Sequence, residues 1–145
     1  MLKPMYLLVD GINIPDELID LVMCQENKIF IEDPVIQDWV ESHLTTLGYA
    51  FPGVRKTLKP CSNHVHISDQ GLTPHNHLPH AYTSVLYLMD AEGELVLGDP
   101  DDCVRLKPKA GRFVFFPADL MHSVEASAHA ELRIALVTNY EYPSV

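Results

Sequence analysis

A chain of 145 residues is long enough for one domain around one hydrophobic core and too short for two ordinary ones. Its 47% hydrophobic and 21% charged content is that of a globular protein. The formal net charge of −10 repels phosphate backbones and so argues against nucleic acid or an anionic membrane as partner.

The N-terminal Met1–Asp10 lacks the long apolar stretch and small-residue cleavage site of a signal peptide. No run of about 18 apolar residues occurs, so no membrane span is predicted and a cytoplasmic location is expected. Ile14-Pro-Asp-Glu17 puts a proline and two acids at a helix start, where exposed N–H groups favour both. Leu18, Ile19, Leu21, Val22 and Met23 follow at helical spacing to about Glu26. A second helix is predicted from Asp33 to Leu47, with Pro34 in its first turn, a stripe of Val35, Ile36, Trp39, Val40 and Leu44, and Gly48 as its stop.

After Tyr49 short β-type runs take over. Val54–Lys59, Val65–Ser68, Tyr82–Met89, Glu94–Gly98, Cys103–Lys107, Arg112–Phe116, His122–Glu125 and Glu131–Asn139 make about eight strands, separated by Gly-, Pro- and Asp-rich turns. Strands so short and close together indicate a sandwich or barrel rather than βαβ units. The expected architecture is mainly β with N-terminal helices: residues 1–145 form one domain, and the helices in about 14–48 cover one face of the β unit.

Cys24, Cys61 and Cys103 are odd in number, far apart and without a CxxC pair. They read as reduced thiols packed as small apolar groups, not as a disulfide framework or zinc knuckle. Histidine carries the chemical signal: His64, His66, His75, His77 and His80 fall within one short segment. Neutral imidazole ligates first-row transition metals well, and strand residues at i and i+2 point to one side. His64-Val-His66 and His75-Asn-His77 both have that spacing. The second pair lies in a loop-like stretch entering the apolar strand from Thr83, where ligands would meet substrate at a barrel mouth. His122, just beyond the bulky run Phe113–Phe116 and Pro117, offers a third ligand; His80 reads as a spare donor.

Arg133 is the second signal, because it opens the apolar strand Ile134-Ala-Leu-Val137. A hairpin through Ala126–Ala130 would lay this strand beside the one that begins at His122. An inward guanidinium needs a carboxylate, either an internal Asp or Glu or one belonging to a bound ligand. Tyr87 and Val114–Phe116 read as core.

In their order and spacing, His75-Asn-His77, Tyr82–Leu88, Gly93–Pro100, Gly111–Pro117, His122 and Arg133–Asn139 resemble the 2-oxoglutarate/Fe(II)-dependent oxygenases over about residues 60–140. The resemblance implies a double-stranded β-helix (jelly roll) and Fe(II) held by His75, His77 and His122. It further implies 2-oxoglutarate as cosubstrate with Arg133 on its far carboxylate, and hydroxylation of a small molecule or a peptide side chain. Two departures stand out. His77 occupies the place of the family's usual acid, and Ala135 stands where the related strand often carries Ser. A cupin-type metal-dependent dioxygenase fits Gly111-x5-Pro117-x4-His122 too, and a non-catalytic metal-binding module remains open. The loops Thr45–Gly53 and Gly98–Asp102 are expected to shape the substrate pocket, and exposed strand edges allow a homodimer.

Overall fold

A computed structural model describes residues 4–25, 31–55, 57–99, 101–127 and 132–143. Two antiparallel sheets face each other, with helices packed on the outside of one of them. The elements in chain order are β1 (Leu7–Val9), α1 (Asp16–Met23), α2 (Pro34–Trp39), a π-helical turn (Val40–Leu44), α3 (Thr45–Gly48), β2 (Lys59–Ser68), β3 (Leu72–His75), β4 (Tyr82–Tyr87), β5 (Leu95–Asp99), β6 (Asp102–Leu106), β7 (Phe113–Pro117), β8 (His122–Val124) and β9 (Arg133–Glu141). The five-stranded sheet runs β1-β7-β4-β9-β2 and the four-stranded sheet β3-β8-β5-β6. This is the expected jelly roll.

The helices form where their signals stand. Asp33 caps α2 by accepting hydrogen bonds from the N–H groups of Val35 (2.9 Å) and Ile36 (3.3 Å). The π-helical turn rotates the helix surface in its middle, and the Thr45 hydroxyl donates to the Val40 carbonyl at 3.3 Å. Gly48 ends this helix against the sheet: a Cβ there would lie 2.6 Å from a ring carbon of Phe115, so only glycine permits the approach. Leu18, Val22, Ile36, Val40 and Leu44 pack on Val65, Leu86, Phe113, Phe115, Ile134 and Leu136 of the five-stranded sheet.

Several expectations change. In the strand expected over Val54–Lys59, residues 54, 55, 57 and 58 are turn and coil, and β2 begins at Lys59. Pro60 is tolerated in β2 because that strand is a sheet edge paired only with β9. The segment Leu72–His75, expected as loop, is a strand, and β1 is an additional short edge strand that pairs with β7. The hairpin expected between β8 and β9 does not form: β9 crosses to the other sheet and pairs with β4 and β2, while β8 pairs with β3 and β5. The predicted helix end at Glu26, turn residues Pro100 and 128–130, and the predicted strand start at Glu131 lie outside the described residues. None of the three cysteines is in a disulfide, but Cys24 and Cys61 are exposed and Cys103 is half-buried, so the expected apolar packing of these thiols is not found.

Candidate metal centre

The space between the sheets is lined by alternate residues of the five-stranded sheet. Val85 and Tyr87 of β4 and Arg133, Ala135 and Val137 of β9 face inward, while Leu86, Ile134 and Leu136 face the helices. Period-two geometry produces this split from strands that are apolar on both faces. The resulting pocket is also lined by His64, Leu72, His75, His77, Leu95, His122 and Val124.

His75, His77 and His122 converge here, each offering a ring nitrogen within 4.8 Å of the others. His75 ends β3 directly opposite His122 of β8 in the antiparallel register, so two of the rings meet as cross-strand neighbours. Their centroids lie 4.3 Å apart. His77 is past the end of β3, so the i, i+2 strand geometry expected for it does not apply. Its N–H instead donates to the Ala118 carbonyl at 2.8 Å, and the loop turns the ring back until His77 Nε2 lies 3.1 Å from His122 Nε2.

The tautomers follow from the partners. His75 Nδ1 is 2.8 Å from the Thr73 carbonyl and His122 Nδ1 is 3.0 Å from the Leu120 carbonyl. A carbonyl only accepts, so both Nδ1 atoms carry hydrogen and Nε2 is the nitrogen left to face a metal; this backbone anchoring is the arrangement that orients metal-ligating histidines. Burial, aided by the neighbouring imidazoles of His122, His75 and His64, holds the His77 ring down at about 3. His122 is held at about 4, chiefly by burial. Rings that stay neutral well below their ordinary 6.5 present lone pairs instead of protons to a cation. The donor set therefore fits a borderline first-row divalent metal.

Arg133 is 1% exposed, and burial lowers its pKa. Its Nη1 donates to the Glu125 carbonyl (3.0 Å) and its Nη2 to the Gln70 carbonyl (2.6 Å), tying the strand ends of the two sheets together. Among the described residues no carboxylate lies within ion-pair distance of it. Of the two partners expected from sequence, an internal acid is thus not observed there. Gly93 makes the position possible, since a Cβ on it would collide with Arg133 Nη1 and the Glu125 carbonyl.

Sequence reasoning missed one contributor and left another open. Tyr87, assigned to the core, is buried but lines the pocket. Strand parity with Val85 was the available signal. His64 also lines the pocket, its ring stacked 6.4 Å from that of His77. The His66 side chain lies outside the described residues. His80 does not join this centre, and none of the described residues of 45–53 and 98–102 lines this pocket.

The fold and this pocket define a jelly-roll protein with a histidine-rich centre between its sheets. The chain belongs to the 2OG-Fe(II) oxygenase superfamily, whose model matches residues 55–141. It is accordingly a 2-oxoglutarate-dependent dioxygenase of the class that uses Fe(II) as cofactor and 2-oxoglutarate as cosubstrate. The fold is similar to that of the non-heme α-ketoglutarate-dependent epimerase SnoN from nogalamycin biosynthesis (16% identity, TM-score 0.74, 97% of this chain and 78% of that one). It also resembles a Pseudomonas putida prolyl-4-hydroxylase (15%, 0.74, 96% and 86%). A third similar structure is the viral collagen prolyl hydroxylase of Paramecium Bursaria Chlorella virus-1 (14%, 0.73, 96% and 96%). No curated protein sequence matches the chain. Among the described residues no helix is long and apolar enough to cross a membrane.

Proposed function

We propose that His75, His77 and His122 hold the Fe(II), that Arg133 binds the far carboxylate of 2-oxoglutarate, and that the enzyme hydroxylates a small molecule or a peptide side chain. The observation that carries this reading is the buried Arg133 guanidinium, which shares a pocket with three imidazoles and, among the described residues, hydrogen-bonds only backbone carbonyls. A buried cation held this way is costly unless a carboxylate completes it. A dicarboxylate reaching from the histidine end to the arginine end would do so. Tyr87, lining the same pocket, offers its hydroxyl as a second donor for it.

When bound, Fe(II) and 2-oxoglutarate supply the oxidising chemistry, in which dioxygen converts the cosubstrate to succinate and carbon dioxide and one oxygen atom enters a substrate C–H bond. The chain's own part is positional. Thr73 and Leu120 carbonyls hold two imidazoles by their Nδ1 hydrogens, Arg133 and Tyr87 orient the dicarboxylate, and Val85, Leu95, Val124 and Val137 keep water away. Leu72, Leu78 and Met121, all partly exposed, flank the ligand positions and suit a substrate that presents an apolar group at the mouth. The helices and the β unit work as one domain, because without α1 and α2 the outer face of the five-stranded sheet would be bare.

Succinate formation from 2-oxoglutarate with Fe(II) and dioxygen, screened against metabolite and peptide pools, tests the activity. Anaerobic addition of Fe(II) and 2-oxoglutarate should give a weak visible charge-transfer band. Its absence at every 2-oxoglutarate concentration would sink the assignment of this pocket. His77→Ala asks the sharpest question, since His77 replaces the family's acid: a variant that still binds iron and turns over would remove His77 from the ligand set.

A further inference from the structure

A second group of ligating side chains stands outside the histidine centre. Cys61 Sγ lies 3.3 Å from His80 Nδ1, and Glu141 Oε1 lies 2.9 Å from the same nitrogen. All three ligand atoms are within 4.8 Å of one another. They come from separate places in the chain: an edge strand, the β3–β4 loop and the end of β9.

The backbone aims them together. In the β2–β9 register Pro60 faces Tyr140 and Ser62 faces Asn139, so Cys61 is the extra residue of a β-bulge. A bulge re-aims one side chain and often serves a local purpose. Here it turns the thiol toward the loop that carries His80, where Sγ also donates to the Asn139 carbonyl at 3.2 Å. The Ala81 N–H, donating to the Tyr140 carbonyl at 2.9 Å, holds that loop against β9.

A Cys–His nucleophile does not explain the cluster. In such a dyad the carboxylate and the thiol address opposite nitrogens of the imidazole; here both address Nδ1. Burial and the Glu141 carboxylate also push the thiol up to about 11, away from a reactive thiolate. Three donors of thiol, imidazole and carboxylate type around one point are instead a zinc-type set. Tetrahedral zinc would spread such ligands to roughly 3.3–3.7 Å, an opening of a few tenths of an ångström from the contacts present. The adjoining groove presents Glu32, Asp38 and Glu41, which favours approach of a cation.

We propose that Cys61, His80 and Glu141 form a second metal site, selective for a borderline-soft divalent cation such as zinc, with a fourth position open to water. Bound there, the cation ties the β2 edge and the end of β9 to the loop that also carries His77.

Cobalt(II) reports on the site through its thiolate bond, which the histidine centre lacks. Anaerobic titration of the reduced, intact chain should raise a near-ultraviolet thiolate-to-cobalt charge-transfer band with tetrahedral visible bands, and zinc should bleach both. The band should persist in a Cys24→Ser/Cys103→Ser double variant, whose only thiol is Cys61, and vanish in Cys61→Ser. His80→Ala and Glu141→Gln should each weaken cobalt binding by about 10- to 100-fold. No band from the folded intact chain at saturating cobalt, or a band that survives Cys61→Ser, overturns the proposal. If Cys61→Ser fails to fold by circular dichroism, the double variant decides alone: its band supports the site and its lack of one refutes it. The thiolate band is read without 2-oxoglutarate, so its outcome is independent of the histidine centre.

Discussion

The two faces of the five-stranded sheet are built from the same strands and do opposite work. Toward the helices, Leu86, Phe113, Phe115, Ile134 and Leu136 pack in one apolar cluster. Toward the other sheet, the intervening positions of the same strands carry Tyr87, Arg133 and Ala135, and β2 adds His64. One face stabilises; the other keeps a cation and several imidazoles poised in a largely apolar enclosure. A single-residue alternation separates them, so neighbours in sequence should respond to substitution in different currencies.

The largest effect should follow from removing a histidine of the pocket face. His122→Ala should abolish iron binding and succinate formation, read by anaerobic titration and by turnover, while thermal unfolding of the metal-free protein changes little. Its counterpart on the helix face, Leu136→Ala, should cost about 2–5 kcal/mol in denaturant unfolding and leave iron stoichiometry intact. If Leu136→Ala abolished iron binding in the folded protein, the division between faces would be wrong.

Arg133→Leu comes next. Loss of the charged contact should raise the KM for 2-oxoglutarate about 10- to 100-fold, and iron alone should still bind. Gly93→Ala should reproduce part of that KM increase from outside the pocket, because its new methyl group pushes on Arg133 Nη1. An unchanged KM in Gly93→Ala would show that the guanidinium can shift without consequence. Tyr87→Phe should raise the same KM by a smaller factor, about 5-fold, if its hydroxyl completes the carboxylate site.

The effect that is smallest at neutral pH and grows with acid concerns protonation. His77 and His122 titrate at about 3 and 4 when folded and near 6.5 when unfolded. Below about pH 6.5 the unfolded chain takes protons that the folded chain refuses. The metal-free protein should therefore lose stability as pH falls from about 6.5 towards 3, and should gain nothing from these rings above 6.5. Unfolding temperature against pH measures this, and His77→Gln should flatten the slope. A slope unchanged by that substitution would locate the titration elsewhere.

Much of this was readable from the chain. Helix starts, the change to β periodicity after Tyr49, the histidine set and the lone arginine in an apolar strand are local patterns, and local patterns survive without knowledge of the partner strand. The readings that failed all required that knowledge. Pro60 fell among the Pro-rich turns between expected strands because nothing local says that β2 is an edge. The β8–β9 hairpin was expected because consecutive strands usually pair, yet β9 crosses to the opposite sheet and brings Arg133 to the pocket from the facing wall. His80 looked spare because its partners, Cys61 and Glu141, are remote in sequence.

The side-chain types, their spacing and the period-two alternation are properties of the sequence itself, and they determined which chemistry this protein can support. Which histidines meet, which face of β9 carries Arg133 inward, and that Tyr87 borders a pocket were decided only by tertiary pairing. The physical reason is register: a one-residue shift between strands exchanges the two faces of a sheet, and register is set by the long-range contacts that close the sandwich.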